Sequence, residues 1–166
     1  VAAHTLFGST IGLFNNYLGK LGITTSYVAP DDLDAWRAAI TPATRMLFVE
    51  TPSNPLTEVV DMAALAELAD DNDALLVVDN CFCTPALQRP LDFGAHVVVH
   101  SATKFLDGQG RALGGAVIDD GRFDIREGQR HAIARAITRI GVIRAVIIAK
   151  TGSIRDFELA RIFSSL

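Results

Sequence analysis

The chain has 166 residues, of which 49% are hydrophobic, and its 15 basic and 19 acidic side chains give a formal net charge of −4. That length suits one domain with a substantial core. The acidic balance disfavours nucleic acid as a partner, and no apolar run approaches the ~20 residues that a membrane-spanning helix needs. The chain opens on Val1 rather than Met, and no basic segment with an apolar stretch follows. We therefore expect a piece of a longer, cytoplasmic protein without a signal peptide.

Predicted strands and helices alternate along the first 118 residues. The predicted helices cover residues 13–21, 31–40 and 62–70, the second capped by Asp31 or Asp32 and the third by Asp61. The predicted strands follow apolar runs at residues 25–28, 46–50, 75–79, 97–100 and 115–118. Continuous apolar strands that alternate with helices predict an α/β fold with a mostly parallel sheet flanked by helices.

The composition changes after about Asp120. Residues 1–118 carry six basic and thirteen acidic side chains, whereas residues 119–166 carry nine and six. Six arginines recur between positions 122 and 144 in a stretch predicted to be helical. We therefore divide the chain into a partial large domain, residues 1–118, and a divergent, helical, arginine-rich tail, residues 119–166. The basic face of the tail is interpreted as a solvated surface, with binding of an acidic partner as the alternative.

Two cysteines, Cys81 and Cys83, stand two positions apart. In an extended segment both side chains point the same way, which is a poor geometry for a disulfide. Without further cysteines or well-spaced histidines the pair is also a weak metal site. We expect two reduced, half-buried thiols and no bound metal.

Polar side chains follow three of the predicted strands. Asp79 ends the strand at 75–79, Asn54 follows the strand at 46–50, and Ser101, Thr103 and Lys104 follow the strand at 97–100. Parallel strands would bring these groups to one sheet edge, where such folds bind ligands. Lys104 is expected to be poorly solvated there, so that its amine is neutral and can form a Schiff base. The set suits an aromatic, phosphorylated aldehyde cofactor, although each residue alone also suits a cap, a turn or an ordinary surface.

A different class of enzyme shares part of this pattern. Ser101 and Lys104 also match S-x-x-K, and residues 150–152 match K-T-G, both found in penicillin-binding proteins and β-lactamases. Ser101 would then be the nucleophile of a serine acyl-transferase, activated by Lys104. The motif between these two is missing, and glycines follow where a helix should continue, so this remains the remote alternative.

Four stretches resemble, in the right order, motifs of the Cys/Met-metabolism family of pyridoxal-phosphate enzymes. They are Phe-Gly-Ser-Thr at 7–10, Glu-Thr-Pro-Ser-Asn-Pro at 50–55, and the segments at 78–88 and 100–111. The Asn-Cys-Phe-Cys-Thr-Pro and Asp-Gly-Gln-Gly-Arg wording of the last two is most similar to the family's O-succinylhomoserine sulfhydrylases. The resemblance implies that residues 1–118 are part of the large cofactor-binding domain of a fold-type I, aspartate aminotransferase-like enzyme.

The resemblance also implies roles for the polar residues. Lys104 would form the Schiff base with pyridoxal 5′-phosphate and shuttle protons between substrate carbons. Asp79 would pair with the pyridine nitrogen, and Asn54 would lie beside the ring hydroxyl. Ser101 and Thr103 would contact the phosphate. These positions form the catalytic and cofactor-binding set of the expected enzyme, with no metal.

Phe7 would complete this set by stacking on the ring face. The implied reaction is a γ-replacement in methionine biosynthesis, in which O-succinylhomoserine and sulfide give homocysteine and succinate. Cystathionine γ-synthase or γ-lyase activity is the alternative, as is a catalytically incomplete fragment, because the family's substrate-binding carboxyl-terminal domain is not recognisable here. The expected partners are a small amino-acid substrate and further copies of the full-length protein, arranged as a dimer of dimers.

Overall fold

The chain is built on a seven-stranded sheet in a computed structural model that describes residues 1–111 and 113–120 and the strand at 146–150. The strands are β1 Ala2–Ala3, β2 Tyr27–Val28, β3 Met46–Glu50, β4 Leu75–Asp79, β5 Val97–Ser101, β6 Gly115–Asp119 and β7 Val146–Lys150. Their order across the sheet is β2-β1-β3-β4-β5-β6-β7. The first five are mutually parallel, β6 is antiparallel to β5, and β7 is parallel to β6. The prediction of a mostly parallel α/β sheet is confirmed.

The helices connect the parallel strands, and two begin at the predicted caps. They are α1 Gly8–Gly12, α2 Leu33–Ala39, α3 Met62–Asp71 and the single turn α4 Thr84–Leu87. The Asp32 carboxylate accepts a hydrogen bond from the backbone N–H of Ala35 at 2.9 Å, and the Asp61 carboxylate accepts one from the N–H of Ala64 at 3.0 Å. The first helix begins at Gly8 instead of residue 13 and continues to Leu21 through π-type and 3₁₀ turns. Glycines at 8 and 12, which are poor helix formers, hid this start from the sequence pattern.

The core lies on both faces of the two central strands, which explains why their sequences are continuously apolar. The buried hydrophobic residues of β3 and β4 are Leu47, Phe48, Val49, Leu76, Val77 and Val78. On one face the ring of Phe14 meets Phe48 edge-on, with centroids 5.1 Å apart. Trp36 of α2 and Leu65 of α3 are also fully buried, and α3 packs against both strands. The strands that end in the polar residues are therefore held by a well-packed core.

A histidine ties the elements together at the amino ends of the strands. His96 is buried just before β5, and its Nδ1 accepts the backbone N–H of Leu76 at 3.0 Å. Because Nδ1 accepts, Nε2 carries the proton and donates to Asp70 Oδ1 at 2.8 Å. This contact joins α3, β4 and β5, and it lies at the edge opposite the predicted site.

Within the tail the structure describes residues 119 and 120, at the end of β6, and residues 146–150, which form β7 beside β6. The segment 146–150 is a strand, in contrast to the helix expected for the tail, because its run of four apolar residues, Val146 to Ala149, also suits a strand. The arginines at 122–144 lie outside the described residues. Among the residues described, no helix has the length and apolar character to cross a membrane. No cluster of three or more histidine, cysteine or acidic side chains within that part is arranged to hold a metal ion.

Candidate functional site

The parallel strands bring four of the expected site residues to one edge of the sheet. Phe7 follows β1, Asn54 follows β3, Asp79 ends β4, and Ser101 ends β5. These four strands are neighbours in the sheet and run the same way. Asn54, Asp79 and Ser101, which were predicted from the strand ends, therefore follow or end neighbouring strands at one edge of the sheet, and Phe7, expected only from the family resemblance, follows β1 at the same edge.

Asp79 and Ser101 are joined through the intervening cysteine. Both are half-buried, and Asp79 Oδ1 accepts the backbone N–H of Cys81 at 3.0 Å. The Cys81 sulfur in turn accepts the backbone N–H of Ser101 at 2.8 Å. Burial, reinforced by the nearby Asp79 carboxylate, raises the pKa of the Cys81 thiol to about 12. Cys81 and Cys83 are free and half-buried, as expected, and Cys81 acts as a protonated bridge between two strand ends rather than as a nucleophile.

A buried amide network holds the loop that follows β4 against the loop that follows β3. Asn80 is fully buried, and its Nδ2 donates to the backbone carbonyl of Gln88 at 2.8 Å. The Gln88 Nε2 donates to Asn80 Oδ1 and to the carbonyl of Thr51, each at 2.8 Å. Sequence reasoning missed Gln88, because a glutamine in a loop carries no signal of its own. The network fixes the position of Asp79 from the residue directly after it.

Asn54 lies half-buried in the loop after β3. The loop is closed by its neighbour Ser53, whose backbone N–H donates to the carbonyl of Glu58 and whose Oγ accepts the Glu58 N–H, both at 3.0 Å. The Thr51–Pro52 and Asn54–Pro55 peptide bonds are cis. Asn54 is therefore presented by a loop with a defined shape at the predicted edge.

The expectation that Lys104 is buried at a strand end is wrong. Strand β5 ends at Ser101, and the chain then enters a helical turn, Ala102–Leu106, which carries Lys104 to an exposed position. Lys104 also interrupts that turn, with φ −90° and ψ −121°. Burial within this part of the chain therefore does not supply the desolvation that the sequence argument invoked.

Thr103 is anchored to the backbone of the chain. Its Oγ1 accepts the N–H of Gly114 at 3.2 Å and lies 3.4 Å from the carbonyl oxygen of the same residue. The N–H of Ala102 also donates to that carbonyl, at 2.8 Å. These contacts pin the lysine-bearing turn to the residues that lead into β6.

Glu50 is a member of this edge that sequence reasoning overlooked. It ends β3 directly opposite Asp79 in the strand register, and only 6% of it is exposed. Its Oε2 accepts the backbone N–H of Phe7 at 2.7 Å. Burial above all, and then the Asp79 carboxylate, raises the pKa of Glu50 from 4.5 to about 7. An acid that ends an apolar strand in register with Asp79 was the available signal.

The serine acyl-transferase alternative gains nothing from this geometry. Ser101 ends a strand instead of opening a helix of normal length, and Lys104, three residues later, is exposed. Of the K-T-G match, Thr151 and Gly152 lie outside the described residues.

Comparison with known proteins gives one consistent family. The family model for "Cys/Met metabolism PLP-dependent enzyme" matches residues 1–152, which extends beyond Ile118. The O-succinylhomoserine sulfhydrylase of Pseudomonas aeruginosa is 58% identical over 121 residues, covering 73% of this chain and 30% of that protein. An L-methionine gamma-lyase of Pseudomonas deceptionensis is 45% identical over 119 residues, covering 71% of this chain and 30% of that protein.

A solved structure agrees with the observed fold. The cystathionine gamma-lyase of Lactobacillus plantarum, in complex with L-serine, superimposes with a TM-score of 0.67 and 41% sequence identity. The match covers 69% of this chain and 30% of that structure. The chain thus spans about a third of the length of the proteins it matches, and its sheet is part of a fold-type I architecture. It belongs to the family of Cys/Met metabolism PLP-dependent enzymes.

Proposed function

We propose that the protein containing this chain catalyses the γ-replacement that converts O-succinylhomoserine and sulfide into homocysteine and succinate. The order of the strand ends supports the proposal: Asp79 ends β4, Ser101 ends the adjacent parallel strand β5, and the turn that contains Lys104 follows Ser101 directly. The 58% identity to a protein named O-succinylhomoserine sulfhydrylase supports this choice of reaction within the family.

The residues at the edge fit the groups of pyridoxal phosphate. Lys104 offers an exposed primary amine to the aldehyde, and the half-buried Asp79 offers a carboxylate to the ring nitrogen. Ser101 and Thr103 supply hydroxyls for the phosphate. Phe7 is 48% exposed although it is a phenylalanine, which leaves its ring available to the face of an aromatic ligand. When bound, pyridoxal phosphate supplies an electron-withdrawing ring that stabilises negative charge on substrate carbons.

The side chains of this edge divide the work of the reaction. Lys104 removes the proton from the substrate Cα and then one from Cβ, acting as general base and returning protons as general acid. Asp79 would hold the ring nitrogen of the cofactor, and its carboxylate would favour the protonated form of that nitrogen. The Cγ–O bond breaks with its electron pair leaving on succinate, and a Cγ–S bond forms to hydrosulfide. The cysteine bridge and the amide network hold Asp79 and Ser101 in place for these steps.

A lyase activity is the second candidate, because this chain is 45% identical to an L-methionine gamma-lyase and 41% identical to a cystathionine gamma-lyase of known structure. With O-succinylhomoserine as substrate, both activities pass through the loss of succinate, and they differ in whether hydrosulfide then adds to Cγ. We further propose a cytoplasmic dimer of dimers for the full-length protein, as the family resemblance implies; the two free half-buried thiols agree with a reducing compartment.

The test is turnover of the purified protein loaded with pyridoxal phosphate. With O-succinylhomoserine and sulfide it should form homocysteine and succinate in equal amounts, and Lys104→Ala should abolish both. Omitting sulfide separates the two candidates, since a lyase continues to release succinate and forms 2-oxobutanoate and ammonia. The absence of homocysteine from a protein that demonstrably binds the cofactor would refute the sulfhydrylase proposal.

A further inference from the structure

We propose that Glu50 is a positioning residue of the cofactor site, whose buried carboxyl holds the backbone of Phe7 and so places the Phe7 ring relative to Asp79. This inference rests on the proposed function, because it assigns Glu50 to the site that Asp79 and Lys104 define. Glu50 itself is taken to touch neither substrate nor cofactor.

The first support is the way in which Phe7 is held. Its N–H donates to Glu50 Oε2 at 2.7 Å, and its carbonyl accepts the amides of Thr10 at 2.9 Å and Ile11 at 3.2 Å. Phe7 precedes the first turn of α1, so its N–H has no partner within the helix. With both backbone groups fixed, only the side-chain torsions of Phe7 remain free. The carboxyl of Glu50 is the element that fixes the N–H.

The second support is the position of Glu50 in the sheet. It is paired in register with Asp79 on the adjacent parallel strand, so one residue links the strand that carries the acid to the loop that carries the ring. The three residues before it, Leu47 to Val49, are apolar and buried. If this position served only to pack the core, another aliphatic side chain would fill it equally well. A carboxyl at this place has a use beyond packing.

The third support is that burial makes the ionised form of the Glu50 carboxyl unfavourable at this position. Burial raises its pKa to about 7, with the Asp79 carboxylate as the acidic group facing it from β4 and the Cys81 thiol beyond. Perturbed acids of this kind concentrate at functional sites. The charge-assisted hydrogen bond to Phe7 acts in the opposite direction and lowers the pKa of Glu50, so the N–H of Phe7 is what makes the ionised form tolerable.

The test is a double-mutant cycle in which the affinity for pyridoxal phosphate is measured for each variant. Binding is followed by the absorbance of the cofactor in the purified protein. Glu50→Leu removes the acceptor and should weaken binding about tenfold, the effect of losing one charge-assisted hydrogen bond. In a Phe7→Ala background the same change should have little further effect, because there is no ring left to position. Glu50→Gln, which keeps an oxygen acceptor, should stay within about threefold of wild type.

Three results bear on the inference separately from the proposed function. Equal losses from Glu50→Leu with and without the Phe7 ring would overturn the inference, because a merely structural role gives additive effects. If Glu50→Leu does not fold, a folded Glu50→Gln that loses tenfold or more would overturn it as well. Glu58→Leu, at an exposed position in the loop after β3, is the matched control and should bind normally. Failure of the wild-type protein to bind the cofactor through Lys104 would instead reject the proposed function.

Discussion

Replacing Glu50 with glutamine should change how stability depends on pH. The pKa of Glu50 is raised from 4.5 to about 7 by burial and by Asp79. At ~1.36 kcal/mol per pKa unit, a shift of this size corresponds to at most ~3 kcal/mol, and to about 1–2 kcal/mol after solvent screening at the sheet edge. Below pH 4.5 the group is protonated in both the folded and the unfolded chain, so its full contribution to stability is present. As pH rises to 7 the unfolded chain ionises first, and that contribution is lost.

The assay is urea unfolding of wild type and Glu50→Gln at pH 5 and pH 8. The variant does not titrate, so its stability relative to wild type should be about 1–2 kcal/mol more favourable at pH 8 than at pH 5. Glu58→Gln, at an exposed position, should show no such pH-dependent difference. An unchanged difference between wild type and Glu50→Gln at the two pH values would refute the assignment of a buried, proton-retaining carboxyl.

Two further predictions concern the amide network at the site and the packing at Gly94. Gln88→Ala removes the donors to the Thr51 carbonyl and to Asn80 and leaves both acceptors buried, so unfolding free energy should fall by about 2–3 kcal/mol in urea titrations; a loss under ~0.5 kcal/mol would contradict the network. Gly94 has φ +90°, and a Cβ there would meet another side chain at 2.8 Å, whereas Gly22 has φ +80° and open space around it. Gly94→Ala should therefore lower the melting temperature clearly more than Gly22→Ala, and equal effects would contradict the packing.

Much of the fold was predictable because its signals are local. Asp32 and Asp61 cap helices as predicted, and the apolar runs at β3 and β4 form strands with the expected bounds. The strand Ala2–Ala3 was not predicted, since two alanines have no strand propensity and gain their place only by pairing between β2 and β3. The reversal of β6 was also beyond reach, because hydrophobic periodicity carries no information on strand direction.

The site was predictable to the extent that strand ends and family motifs define it. The placement of Asp79 and Ser101 at one edge followed from the parallel sheet. The exposure of Lys104 could not be predicted, because the turn after β5 depends on hydrogen bonds to Gly114, which lies further along the sequence. Glu50 was missed for a similar reason, since its partner Phe7 lies 43 positions away. Long-range hydrogen bonds of this kind leave no trace in local composition.

Chemical reduction of the bound cofactor identifies the lysine that holds it. The chain has three lysines, Lys20, Lys104 and Lys150. The protein would be incubated with pyridoxal phosphate, reduced with borohydride, digested and analysed by mass spectrometry. We expect a stoichiometric pyridoxyl label on the peptide that contains Lys104, and none above background on the peptides that contain the other two lysines. A label on Lys20 or Lys150 alone, or no label in folded protein, would contradict the assignment of Lys104 as the cofactor-binding lysine.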